Sequence, residues 1–530
     1  MQQRAFVDNS TVPATVKVPR AYNAASEFID RHLEAGRGGR VAIIDRAGQY
    51  TYANLAERVN RTGNALHGLG VRMETRVAIC LLDTVDFPAV FWGALKIGAV
   101  PIPLNSLLTA QDYDYILRDS RAHTLVLSAE LYEAFAPILD SQPHLENVVI
   151  SGTVDGHVRL EDLMANASER LEPAATTSDD VAFWLYTSGS TGQPKGSMHL
   201  QSDLVYTAVH YGRGVLGIEA DDVVFSAAKL FFAYGLGNGM TFPFYVGASA
   251  VLLAERPTPE SVLGILSRHR PTIFYGVPTL YGAILADPDN GPARSSDRLR
   301  RCVSAGEALP EGVARAWEER FGVPILDGLG STEMLHIFLS NAPDDTKYGT
   351  SGRAVPGYEL QLVDEDGAAV GNGEMGELCV KGPSTAVAYW NQRGKSVATF
   401  QGPWTHTGDK YLRDPEGYYV YCGRTDDMLK VSGNWVSPFE VESTLIEHPR
   451  VLEAAVVGHL DERGLVKPKA FVVLNERAEG EGGSVLEDDL KTFVKYRLAP
   501  YKYPRWIEFV ESLPKTATGK IKRFMLREAG

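Results

Sequence analysis

From Arg76 to about Leu326 the chain alternates short apolar runs with longer segments whose apolar residues recur at helical spacing, and this narrows the fold more than any other feature. Residues 76–82 read as a buried strand, 87–97 as a helix, 100–104 as extended, 110–119 as a helix and 124–128 as extended again. The pattern returns with strands at 249–253, 272–275, 301–304 and 324–326 and helices at 259–269, 280–285 and 311–321. Thr258 and Pro259 supply an N-cap and a first-turn proline for the helix at 259–269. Strands joined by helical crossovers lie parallel, and a parallel sheet is buried on both faces. The expectation is therefore an α/β fold whose large N-terminal domain holds mostly parallel, helix-covered sheets.

After about Gly349 short strands and turns take over, with strands at 359–363 and 376–381, which predicts a β-rich subdomain over about 349–425. Strands at 454–458 and 470–474, an exposed loop at 479–483 and a helix at 486–498 predict a separate α+β unit. The domains expected are 1–425 and a small mobile C-terminal domain, 426–530. A length of 530 residues fits more than one domain.

With 52 basic against 66 acidic residues the chain carries −14, which argues against a general nucleic-acid or membrane surface binder. The four cysteines are far apart and lack metal spacing, so they read as core thiols of a reducing compartment. The N-terminus has no apolar signal core and no run approaches a membrane span, making a cytoplasmic location the expectation.

The strongest chemical signal is YTSGSTGQPKG at residues 186–196, directly after the apolar run 181–185. Gly189, Gly192 and Gly196 let the backbone turn tightly, and exposed N–H groups in such a turn form a nest for anions. Thr187, Ser188, Ser190 and Thr191 add hydroxyl donors, and Lys195 adds the charge. The spacing is not that of a Walker A loop. GxGxxG patterns at Gly212 and Gly371 lack the strand-to-helix context of a dinucleotide fingerprint. No GxSxG elbow and no HExxH occurs.

At this segment the chain resembles the adenylate-forming superfamily of acyl-CoA synthetases, peptide-synthetase adenylation domains and luciferases. The resemblance continues, in the family's order, over almost the whole length. It implies that residues 187–192 and Lys195 bind the ATP β- and γ-phosphates, with Thr187 also counted among the catalytic groups. SAGEALP at 304–310 resembles the segment lying against adenine, through Gly306, Glu307 and Ala308. DGLGSTE at 327–333 resembles the next nucleotide motif, covering Asp327, Gly328, Leu329, Gly330 and Ser331. In it the resemblance gives Thr332 the α-phosphate and Glu333 the Mg²⁺, an ion that offsets polyphosphate charge. Leu329 stands where many members carry an aromatic, so adenine is expected between aliphatic surfaces.

WTHTGD at 404–409 resembles the ribose motif, whose Asp409 would accept from both hydroxyls. GRTDDMLKVSG at 423–433 resembles the hinge region: Arg424 for the nucleotide, Asp426 as pivot, Gly433 lining the pantetheine tunnel and Lys430 serving the second step. PKTATGKIKR at 514–523 resembles the terminal loop, implying that Lys520 neutralises the adenylation transition state.

Amino-acid-activating relatives hold the substrate amine with an Asp after the phosphate loop, and here residues 228–237 contain none. An α-ammonium would be left unpaired, whereas Phe231, Phe232 and Tyr234 suit a flat apolar acid. KLFFAYGLGN and GLGSTEMLHIF resemble the benzoate:CoA ligase subgroup, implying that Ala233, Gly235, Gly306, Gly330, His336 and Ile337 also border the acyl group. The expected substrates are thus an aromatic acid, ATP and CoA, and a homodimer is the assembly to look for. The alternatives are a medium-chain acid, or adenylation for a separate carrier protein. No carrier domain follows Lys520, which favours free CoA.

Overall fold

The computed structural model describes residues 3–187, 193–431, 434–462, 464–475, 483–515 and 521–528. Ser188, Gly189, Ser190, Thr191, Gly192, Gly433 and Lys520 lie outside them, as do residues 479–482 of the expected loop. The chain forms two compact units. The first comprises Met1–Leu309, Val313–Glu359 and Val380–Thr405, and the second Pro310–Gly312, Leu360–Cys379 and His406–Gly530. Residues 360–379 and 406–425 cluster by contact with the C-terminal residues. Strand Trp404–Arg413 pairs with Tyr419–Arg424, and that hairpin runs straight into the turn at 424–428, where Met428 N–H bonds the Arg424 carbonyl.

In the first unit, strands Arg76–Cys80, Val100–Pro103, Thr124–Ser128, Asn147–Ser151 and Val158–Arg159 form one sheet, parallel throughout. A second sheet has nine strands among the described residues. Its centre runs Ile325–Gly330, Arg301–Ser304, Ile273–Gly276, Val223–Ser226, Ser249–Val251, Val41–Asp45, with every neighbouring pair parallel. Helix Pro259–His269 forms as expected, with the Thr258 hydroxyl accepting from Ser261 N–H and Pro259 in the first turn. Trp317, on helix Glu311–Phe321, is fully buried in one core cluster, edge-on to Tyr281 and stacked on Phe321.

One strand is longer than its apolar run suggests. Residues 324–326 were the expectation, and the strand continues to Gly330 because it gains an antiparallel partner, Ile337–Ser340. Gly330 is needed there: a β-carbon would sit 2.7 Å from the His336 carbonyl oxygen.

The second unit holds the three-stranded sheet Val451–Leu460, Val466–Leu474, Trp506–Phe509, packed with helices Pro438–Ile446 and Ser484–Arg497 around Val456, Val472, Leu445 and Leu490. Glu442 is buried at its centre. It accepts from Val456 N–H at 2.7 Å and from the Arg523 guanidinium at 2.7 and 3.0 Å. Burial opposes the Arg523 charge, but Glu442 and Asp427 raise its pKa above the ordinary value. All four cysteines are free thiols, three of them buried. Among the described residues, no helix is long and apolar enough to cross a membrane.

Two expectations follow for stability. Glu442→Ala leaves the buried Val456 N–H without its acceptor and removes one of two counterions of the partly exposed Arg523, so urea unfolding should show a loss of about 1–3 kcal/mol, and Glu442→Gln a smaller one. His32 and His336 are both buried, and burial lowers each to about 3 from 6.5. Their stabilisation is therefore complete above pH 6.5 and is lost as pH falls toward 3, because the unfolded chain takes up the protons first. Tm should fall on acidification through this window, and less steeply in His32→Gln.

Candidate active site

Strand Val181–Thr187 pairs antiparallel with Lys195–Leu200, with Thr187 opposite Lys195. The loop motif therefore spans a hairpin, and Lys195 starts a strand. Its ammonium lies 4.2 Å from the centre of the Tyr389 ring, and the Tyr389 hydroxyl donates to Glu333 Oε1 at 2.6 Å. One tyrosine thus joins the lysine of the first motif to the carboxylate of the third.

The segment carrying Tyr389 runs alongside the hairpin. Met198 N–H bonds the Ala388 carbonyl at 3.0 Å, and Trp390 N–H bonds the Gly196 carbonyl at 2.8 Å. From the same segment Ala386 N–H reaches the Glu333 carbonyl at 2.7 Å, and the Ser384 hydroxyl donates to the Met334 carbonyl at 2.8 Å. Sequence reasoning missed these residues, since nothing local in AVAYW signals a nucleotide site.

Two more missed residues lie beneath the motif. His199, fully buried, places Nε2 2.8 Å from the Thr332 carbonyl and Nδ1 3.0 Å from Asp203 Oδ2. Burial raises the Asp203 carboxyl, while His199 and the Leu200 N–H oppose that shift.

SAGEALP sits where strand Arg301–Ser304 ends, before helix Glu311–Phe321. Gly306 has φ +95° and an open, exposed position, a conformation suited to glycine. Glu307 and Ala308 beside it are half-buried. Asp327 is buried, and Oδ1 has no hydrogen-bond partner among the described residues. Burial drives its carboxyl far above the usual carboxylate range, opposed by Leu309 N–H and the Ser351 hydroxyl. Gly328 and Leu329 pair with Ser340 and Leu339, and the Ser331 hydroxyl accepts from Met334 N–H at 3.3 Å.

Of the residues expected to meet the acyl group, Tyr234 stands beside His336. The His336 ring lies 5.7 Å from Tyr234, 5.3 Å from Tyr211 and 4.5 Å from Phe242. A pKa lowered to about 3 keeps the ring neutral, so Nε2–H donates to the Tyr234 carbonyl at 3.3 Å, and Nδ1 has no partner among the described residues. Gly237 faces the ring, where a β-carbon would sit 2.3 Å from His336 Cδ2. Tyr211, Phe242 and Gly237 were not foreseen, because their residue types alone read as core.

Ile337 is buried at the start of its strand. Phe231 is buried edge-on to Phe232, which precedes the short helix Ala233–Leu236. The Tyr234 hydroxyl is spent on the Gly276 and Val303 carbonyls. Gly235 permits a close approach, as a β-carbon there would sit 2.0 Å from the Lys229 carbonyl oxygen.

In the second unit Asp409 pairs in register with Arg424, whose Nη1 donates to Asp409 Oδ1 at 3.0 Å and to the Thr407 carbonyl at 2.9 Å. Asp426 lies exposed in the following turn. Lys430 is exposed with its ammonium 5.2 Å from the Trp435 ring centre. Among the described residues, no three His, Cys, Asp or Glu side chains group as a metal site.

Comparison with known proteins bears on this geometry. Residues 30–390 match the AMP-binding enzyme family profile, and residues 440–520 match the AMP-binding enzyme C-terminal domain. A benzoate–CoA ligase of Thauera aromatica is 60% identical, with all of both chains covered. A crystal structure of a benzoate CoA ligase from Burkholderia xenovorans LB400 superposes with TM-score 0.89 at 51% identity, covering 96% of this chain and 100% of that one. An anthranilate CoA ligase, AuaEII, in complex with anthranoyl-AMP superposes with TM-score 0.92 at 44% identity, covering 97% and 98%. Motifs, fold and full-length likeness agree, and the chain belongs to the AMP-binding, adenylate-forming enzyme family.

Proposed function

We propose that the chain is an AMP-forming acid:CoA ligase whose acid is benzoate. The observation that carries this reading is 60% identity along the entire length to a benzoate–CoA ligase. The site is compatible: neutral His336 stands among Tyr211, Tyr234 and Phe242, and residues 228–237 offer no carboxylate for an amino acid's ammonium.

Two half-reactions follow. In the first, a benzoate oxygen bonds to the α-phosphorus of ATP and diphosphate leaves with the electrons of the broken P–O bond. In the second, the CoA sulfur bonds to the acyl carbon and AMP leaves. Lys195 and the hydroxyls of its loop are assigned to the β- and γ-phosphates, and Thr332 to the α-phosphate. Asp327 Oδ1, lacking a donor, is assigned to the adenine amine, and Asp409 to the ribose. Tyr389 leaves one Glu333 oxygen uncommitted by any bond described above, which suits Mg²⁺, an ion held through one or two carboxylates and substrate phosphates. When bound, the ion would offset polyphosphate charge. Asp426, Lys430 and Gly433 are assigned to domain rotation and the CoA step, with 425/426 as the boundary between the moving bodies.

The decisive assay measures diphosphate release and CoA-thioester formation over aromatic and aliphatic acids. Benzoate should give the highest kcat/KM, whereas faster turnover of hexanoate, or adenylation without CoA transfer, would overturn the reading. Lys520→Ala should cut adenylation by ~10²–10³ while thioester formation from supplied benzoyl-adenylate survives, since one such donor is worth that much. Ile337→Ala should lower kcat/KM for benzoate and hold or raise it for para-methylbenzoate, moving the ratio by at least about tenfold. A parallel fall for both acids would remove Ile337 from the pocket wall.

A further inference from the structure

We propose that His199, held by Asp203, is a positioning residue for adenylation: its Nε2–H fixes the Thr332 carbonyl and thereby sets the turn that presents Thr332 and Glu333. This rests on the assignment of those two residues to the nucleotide. His199 follows the phosphate loop on strand Lys195–Leu200, so one short strand would couple the two nucleotide segments.

Proton accounting supports the role. The Thr332 carbonyl can only accept, and Asp203 Oδ2 already accepts from Leu200 N–H at 3.0 Å. An imidazole between two acceptors makes both contacts only if the pair retains a proton on the Asp203 side, as imidazolium with carboxylate or as neutral imidazole with carboxyl. Nε2 carries hydrogen in either form, so Asp203 fixes the face of the ring that meets Thr332. Phe183 stacks on the ring at 5.3 Å and 21°, which limits its rotation. Beyond it the backbone is tightly committed: Leu335 N–H bonds the same Thr332 carbonyl at 3.1 Å, and Leu335 itself has φ +66°. A donor lost at Thr332 therefore loosens a turn whose geometry is already unfavourable.

The test uses two amides of similar size. Gln at position 199 places its NH₂ near the site of Nε2, whereas Asn reaches only that of Nδ1. In the full-length enzyme His199→Asn should lower benzoate-dependent ATP–diphosphate exchange by about tenfold, the range of one lost hydrogen bond. His199→Gln should recover most of it. In the Asn variant, thioester formation from supplied benzoyl-adenylate should fall clearly less than exchange, because that step keeps the α-phosphate assigned to Thr332 but no longer involves the diphosphate or the ion assigned to Glu333. Amide exchange of peptides covering residues 331–336 should rise in the Asn variant and stay near wild type in the Gln variant. Equal behaviour of the two variants, or equal loss in both half-reactions, would reduce His199 to a core residue and overturn the proposal. Unchanged amide exchange would refute the coupling itself. Raised exchange with adenylation intact would instead refute the nucleotide assignment on which the proposal depends.

Discussion

Three successive carbonyls, those of Thr332, Glu333 and Met334, each accept a hydrogen bond from outside their own segment, and the geometry of the turn after strand Ile325–Gly330 depends on this. The donors are His199 Nε2, Ala386 N–H and the Ser384 hydroxyl. None is a neighbour in sequence, so the turn is shaped by the sheet and by the strand-like segment along the phosphate-loop hairpin. Buried backbone carbonyls must find partners. Here the partners also decide where the Glu333 carboxylate points, since Tyr389 comes from the same segment and donates to it.

The second unit solves a comparable problem with charge. The loop expected to carry Lys520 is closed at its base, where Lys515 bridges to Ile521 and Lys522 N–H bonds the Pro514 carbonyl at 2.8 Å. Arg523, next along, is held by Glu442, with Asp427 3.6 Å away, and Arg527 bonds Asp427 as well. Asp427 neighbours Asp426, so this ionic cluster links the segment after residues 516–520 to a carboxylate one residue from the expected pivot. Such a cluster matters through partner loss, since Glu442, its buried member, would be costly without its counterion.

Much of this was legible from local pattern. Strands Thr124–Ser128, Arg301–Ser304 and Glu359–Val363 and helix Glu311–Phe321 have the limits read from sequence, because apolar runs and caps are local properties. The chemical motifs were visible for the same reason: glycines, hydroxyls and charges stand within a few residues. What could not be read was pairing at a distance. His199 meets Thr332 across 133 positions and Tyr389 meets Glu333 across 56, and both meetings depend on strand order that no window of sequence contains. The extension of one strand to Gly330 likewise depends on a partner chosen in three dimensions.

The left-handed backbone of Leu335 has a thermal consequence. A leucine in that region costs about 1–2 kcal/mol relative to ordinary backbone, and here the side chain is almost fully buried, which offsets the cost. Apolar burial weakens on cooling, whereas the steric penalty does not. The balance at this turn therefore shifts against the native conformation as temperature drops. Thr332 and Glu333 stand on that turn, so cooling weakens the apolar burial that helps hold their backbone in place.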